Sequence, residues 1–169
     1  MLANLIQFTS IFLLIVIFII TYIGYGSLLA RFFFKNVIIR DLGQIGLLGC
    51  FTLIFIAYAT SFFVAHNFTH NIIIIFFGIL SFFLFKKNLE LKEGKVLLLI
   101  LVFSISFFLI SKNHDDFPYY HLPYALSLSE NKVPFGMGLL NYGFRHHSSI
   151  LFLSSLTYLP KVNFKAKYN

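Results

Sequence analysis

Charged residues and cysteine are scarce in this sequence. Only 11% of its 169 residues are charged, against about a quarter in soluble proteins, so a water-soluble globular domain is excluded. Cys50 is the only cysteine, which excludes a disulfide or a Cys-x-x-Cys metal site within the chain. No Asp, Glu, Lys, Arg or His lies inside the long apolar runs, if the third run is taken to begin at Ile72. That absence argues against a transporter, because transporters place such residues within the membrane.

Apolar residues dominate instead, at 59% of the chain, and the mean hydropathy is +0.86. Four apolar runs cover 5–30, 42–64, 72–85 (or 68–85) and 96–111. A helix needs about 20 such residues to cross a bilayer, so the last two runs are short. We interpret all four as transmembrane helices, because the alternation of basic residues between the loops requires the third and fourth runs to cross as a pair. The predicted fold is an all-α, polytopic integral membrane protein.

Basic residues alternate between the connecting loops. Three lie in 31–41, four lie in 86–95, and 65–71 has none. Positive loops face the cytoplasm, so we expect 31–41 and 86–95 inside and the N-terminus and 65–71 outside. The net charge of +7 is then a topology signal and not evidence of nucleic-acid binding. We expect a multi-pass protein of the cytoplasmic membrane, contacting lipid, with 112–149 extracytoplasmic.

The sequence divides into a four-helix transmembrane region, 1–111, a polar loop, 112–149, and a segment 150–169. In the loop, Phe117 and Leu122 each precede a proline, which disfavours helix and predicts a non-helical stretch over 114–122. Pro123 suits a helix start, so we predict a short interfacial helix from 123 to Glu130, with Tyr124 at headgroup level. Residues 150–159 resemble the start of a fifth crossing, followed by a basic tail.

The loop concentrates the ionisable groups of the chain. Asp115 and Asp116 are adjacent carboxylates, which raise each other's proton affinity, so one of them could act as a general base. The alternative is a pair of solvated loop acids. A divalent metal site is a third interpretation, with oxygen and nitrogen ligands from the two acids and from His114, His121, His146 and His147. Arg145 is suited to bind a phosphate, and the alternative is that it anchors the chain at the membrane surface.

One string within the loop resembles a known family. Asp116-Phe117-Pro118-Tyr119-Tyr120-His121-Leu122-Pro123 is similar to the Asp-x-x-x-Tyr-His-Leu-Pro string in the first large extracytoplasmic loop of bacterial GT-C membrane glycosyltransferases. The Asp115-Asp116 pair resembles the acidic pair of related protein mannosyltransferases. A GT-C-like group with this string continues with an Ala-Leu-Ser helix and a later Gly-Phe-Arg, as at 125–127 and 143–145 here. The resemblance covers about 112–160.

This resemblance implies transfer of a sugar from a polyprenyl-phosphate donor to an acceptor outside the membrane. We expect no cofactor, with a divalent metal as the alternative. Asp116, or Asp115 as second choice, would take the proton of the acceptor hydroxyl. Tyr120 and His121 would contact substrate, and Arg145 would neutralise the leaving phosphate. The family's enzymes have many more membrane helices, so we expect an N-terminal fragment that is inactive without its missing C-terminal helices. The alternative is a non-enzymatic membrane scaffold or subunit that binds a protein partner.

Overall fold

The protein is described from a computed structural model, which covers residues 2–34, 41–85, 91–110, 115, 117–133, 139 and 148–159. Every element within these residues is helical. They are α1 (Leu2–Phe33), α2 (Leu42–Ser61), α3 (Phe68–Phe85), α4 (Leu91–Ile110), a π-helical turn (Phe117–His121), α5 (Leu122–Glu130) and α6 (Ser149–Thr157). The predicted all-α class is thus confirmed for the described part of the chain.

Three helices are long and apolar enough to cross a membrane: Phe8–Phe33 within α1, all of α2, and all of α3. They match the first three predicted runs and identify a membrane protein. Helix α4 begins at Leu91, five residues before the predicted start, and takes in Lys92, Glu93 and Lys95. Glu93 in its first turn suits the positive end of the helix dipole. The fourth crossing stays a prediction.

The described chain forms two compact units, and the first comprises described parts of Met1–Cys50 and Ile75–Lys112. Its helices approach at glycines, since a Cβ at Gly24 would overlap the carbonyl oxygen of Gly78, and one at Gly49 would overlap that of Tyr22. Small residues permit such close backbone contact between membrane helices. The guanidinium of Arg31 lies 5.3 Å from the centre of the Phe85 ring, so the ends of α1 and α3 meet.

The second unit comprises described parts of Phe51–Ile74 and Asn113–Asn163. Two backbone hydrogen bonds connect α5 and the residues after it to the end of α2 and the turn that follows. The His66 N–H donates to the Leu128 carbonyl at 2.8 Å, and the Val133 N–H donates to the Ser61 carbonyl at 3.0 Å. Phe152 of α6 is 1% exposed and packs between α2 and α5.

One expectation for the polar loop is wrong. The stretch predicted as non-helical contains the π-helical turn Phe117–His121. Pro118 and Pro123 each lie in the first turn of a helical segment, where a missing N–H costs little. This outweighs the preference of the residue before each proline for an extended conformation. Helix α5 spans Leu122–Glu130, where a helix was expected from 123 to 130, and its interfacial position stays a prediction. Tyr124 is fully buried, because it shares with Leu128 the face of α5 that packs inward.

Candidate functional site

The residues singled out by the sequence fall only partly within the described structure. Asp115 is exposed in a turn that precedes the π-helical turn. Asp116, Arg145 and the histidines at 114, 146 and 147 lie outside the described residues. The predicted roles of Asp116 and Arg145 therefore stay predictions.

Tyr120 and His121 form the described part of the motif. Their ring centres lie 4.0 Å apart with the planes inclined at 34°, and both side chains are half-buried. The neighbouring Tyr119 is 77% exposed. All three lie on the π-helical turn, an uncommon geometry that often marks functional sites. The turn presents one exposed ring beside a paired tyrosine and histidine.

A second set of polar residues, which the sequence did not single out as a site, is buried in the same unit. We call it the histidine cluster. It consists of Thr60 from α2, His66 from the turn before α3, His70 and Asn71 from the first turn of α3, and Ser155 from α6. His66, Asn71 and Ser155 are each 0% exposed. Buried polar groups need partners, and in this cluster the partners come from one another.

His66 is at the centre of the cluster, and both of its ring nitrogens have a hydroxyl partner. Nδ1 lies 2.6 Å from Ser155 Oγ, and Nε2 lies 3.1 Å from Thr60 Oγ1. Thr60 Oγ1 also lies 2.8 Å from the carbonyl oxygen of Ile56, and Ser155 Oγ lies 2.7 Å from that of Phe152. Each hydroxyl has one proton, so either neutral tautomer of His66 can be satisfied by turning the two hydroxyls.

Asn71 and His70 complete the cluster. The Asn71 Nδ2 amide lies within hydrogen-bond distance of three carbonyls, those of His66 at 2.9 Å, Ser155 at 2.8 Å and Tyr158 at 2.9 Å. Asn71 Oδ1 can only accept, so His70 Nδ1, at 3.1 Å, is the donor. His70 Nε2 is then an unprotonated acceptor, buried and without a partner among the described residues.

Burial controls the protonation of the cluster. It lowers the pKa of His66 from its ordinary value of 6.5 to about 4, and the neighbouring His70 lowers this pKa further. A hydrogen bond to the backbone of Ala57 acts in the opposite direction. The rings of His66 and His70 are stacked, with centres 4.9 Å apart and planes 9° apart. Two cations at this separation would repel each other, so His66 is neutral at neutral pH.

The chemistry available to the cluster is therefore structural. Ser155 and His66 have the residue types of a nucleophile and its base, but both side chains are fully buried within the described residues. No group of three metal-binding side chains occurs within the described ranges. The cluster joins α2, α3, α5 and α6, and it fixes the segment that carries Tyr120 and His121.

Sequence reasoning placed His66 and His70 outside the membrane but missed their association with Asn71. A signal was present, since His66 and His70, and Asn67 and Asn71, recur at four-residue spacing beside an apolar run. The sequence offered no sign of Ser155, which lies 89 positions from His66.

Comparison with known proteins gives no family assignment. No protein-family model matches the chain, and no curated protein or solved structure is significantly similar to it.

Proposed function

We propose that this chain is part of a GT-C-type membrane glycosyltransferase, which transfers a sugar from a polyprenyl-phosphate donor to an extracytoplasmic acceptor. The acceptor hydroxyl attacks the anomeric carbon, the bond to the donor phosphate breaks, and Asp116 takes the hydroxyl proton. Asp115 is the second candidate for the base, and Arg145 neutralises the leaving phosphate. The observation that carries the proposal is the string from Asp115 to Pro123.

The geometry near this string supports the proposal. Asp115 is exposed, as a group that receives a proton from a substrate must be. The Tyr120–His121 pair and the exposed Tyr119 ring follow within two helical turns. Aromatic faces suit the apolar face of a sugar ring, and the imidazole can hydrogen-bond a hydroxyl. This part of the loop therefore offers substrate contacts next to the proposed base.

The path of the chain supports a fourth crossing and an outward-facing loop. Helix α3 has 18 residues, so its ends are about 27 Å apart. The chain leaves α3 at its far end, yet Leu128 accepts the N–H of His66 beside the near end. Helix α4, with 20 residues, has the length of about 30 Å for that return. The 117–133 segment lies beside the 62–67 turn, which the charge pattern predicts to be extracytoplasmic.

The experiment is a sugar-transfer assay in membranes from cells that express the whole gene product. Radiolabelled polyprenyl-phosphate sugars are supplied and incorporation into endogenous acceptors is measured. We expect Asp116→Asn to reduce transfer by at least about 100-fold, as loss of a general base does. Glu130→Gln is the control, since Glu130 is an exposed carboxylate of the same unit outside the motif. Full transfer by both Asp116→Asn and Asp115→Asn would favour the scaffold alternative.

A further inference from the structure

The histidine cluster connects α3 to α6, and it contains two imidazoles in place of apolar side chains. Ser155 Oγ and the carbonyls of Ser155 and Tyr158 all bond to His66 or Asn71. The backbone bond from His66 to Leu128 attaches α5 at the same point. Any change that disrupts the centre of the cluster therefore affects the attachment of both α5 and α6.

We propose that the histidine cluster is an acid-sensitive latch, which attaches α5 and α6 to the 62–67 turn while the His66 imidazole is neutral and releases them when it is protonated. The ligand of this site is the proton. The proposal does not depend on the glycosyltransferase function.

Among the described residues that face His66, none carries a charge that would stabilise an imidazolium. From α2 it meets Thr60, from α6 Ser155, and from α3 the stacked ring of His70. The other titratable groups of the packed elements are the phenols of Tyr58, Tyr124 and Tyr158 and the exposed carboxylate of Glu130. Burial raises the pKa of Tyr124, so this phenol stays neutral. Within the described ranges, the nearest positive charge to a protonated His66 would be a protonated His70.

His70 contacts the cluster through one hydrogen bond and one ring face. Its Nδ1–H donates to Asn71 Oδ1, and its ring is stacked on that of His66. Its Nε2 is buried without a partner among the described residues. Protonation of His66 costs no hydrogen bond, since both hydroxyls can turn to accept. Protonation of His66 is therefore opposed by the burial of its charge and by the neighbouring His70, and not by the loss of a hydrogen bond.

The test is hydrogen exchange by mass spectrometry on the protein in lipid nanodiscs at pH 7.5 and pH 4.5, corrected for the intrinsic exchange rate at each pH. The reporters are the N–H groups of His66 and Val133, which bond to Leu128 and Ser61 across the attachment. We expect the protection of both amides to fall at least about tenfold at pH 4.5 and to recover at pH 7.5. Amides at the centre of α1 should keep their protection.

Variants assign the effect to the cluster. His66→Asn retains a polar group near the Nδ1 position and cannot be protonated, so the pH-dependent loss of protection should disappear. His121→Asn, a half-buried histidine of the same unit outside the cluster, should retain the full loss. Unchanged protection in the wild type at pH 4.5, or a full loss in His66→Asn, would overturn the proposal.

If His66→Asn already lacks protection of the reporter amides at pH 7.5, a second variant provides the test. His70→Gln removes the charge that repels a protonated His66 but leaves the His66 hydroxyl partners in place. The loss of protection should be at least threefold smaller than in the wild type. A loss as large as that of the wild type would mean that the stacked pair has no part in the release, and the proposal would be wrong.

Discussion

The Asn71 side chain offers the sharpest test of the packing in the second unit. It is 0% exposed, and its amide nitrogen, which carries two protons, lies 2.8–2.9 Å from three carbonyl oxygens. Asn71→Asp keeps the size of the side chain but replaces this donor with an acceptor. Each buried hydrogen bond contributes about 1 kcal/mol, and an unsatisfied buried group costs about 1–3 kcal/mol. We therefore expect the free energy of unfolding to fall by at least about 3 kcal/mol.

The chain provides a matched control four residues earlier. Asn67 is exposed and caps the start of α3, where its Oδ1 accepts the His70 N–H at 3.0 Å. A carboxylate accepts this hydrogen bond equally well and is favoured at a helix N-terminus. The same chemical change, Asn67→Asp, should therefore alter the free energy of unfolding by no more than about 0.5 kcal/mol.

The two variants can be compared by SDS titration of the protein in mixed micelles, with helix content followed by circular dichroism. Hydrogen exchange at the Val133 amide, which bonds to Ser61, reports the second unit specifically. Asn71→Asp should unfold at lower SDS and expose this amide, whereas Asn67→Asp should match the wild type. Equal stability of the two variants would refute the role assigned to the Asn71 amide.

Three further predictions use the same titration. Gly49→Ala should cost at least about 2 kcal/mol, because its Cβ would overlap a backbone carbonyl of α1; Gly46→Ala, with open space at that position, should gain up to about 1 kcal/mol. Phe152→Ala should cost about 3–5 kcal/mol, since the ring is buried and stacked on Tyr58 at 4.1 Å; a smaller cost than Gly49→Ala would refute this core. The folded-state pKa of His66 is lowered from 6.5 to about 4, so the unfolded chain binds more protons between these values. The free energy of unfolding should be constant above about pH 7 and fall by at most about 3 kcal/mol towards pH 4; constancy throughout would contradict the burial of His66.

The membrane helices were predictable because one physical requirement determines them. A bilayer requires about 20 successive apolar residues. The ends of α1, α2 and α3 lie within about three residues of the ends of the predicted runs, with the third run taken as 68–85. The start of α4 was not predictable in this way. Hydropathy detects only the apolar part of a helix, whereas Lys92, Glu93 and Lys95 continue the same helix outside that part.

The interior of the second unit was far less predictable. Proline located α5 correctly but gave the wrong conformation for 117–121, because a local preference does not determine a segment that packs against distant residues. Periodicity identifies which face of a helix is apolar but not what covers it. The contact between His66 and Ser155 spans 89 positions, and nothing in the local sequence at either end specifies the other.

The pattern of buried polar and exposed apolar side chains is a further argument, independent of hydropathy, that the protein lies in a membrane. On α3 the rings of Phe76 and Phe83 point outward, 59% and 61% exposed, while Asn71 is fully buried. This is the reverse of a soluble protein, and it suits a solvent that cannot hydrogen-bond. In such a solvent buried polar groups must satisfy one another, as they do around His66. Because His66 precedes α3 and Asn71 lies in its first turn, polar groups released there would be near interfacial water. Near the middle of α3 the same groups would face hydrocarbon, so an acid-sensitive contact between helices is compatible with a bilayer only near a helix end.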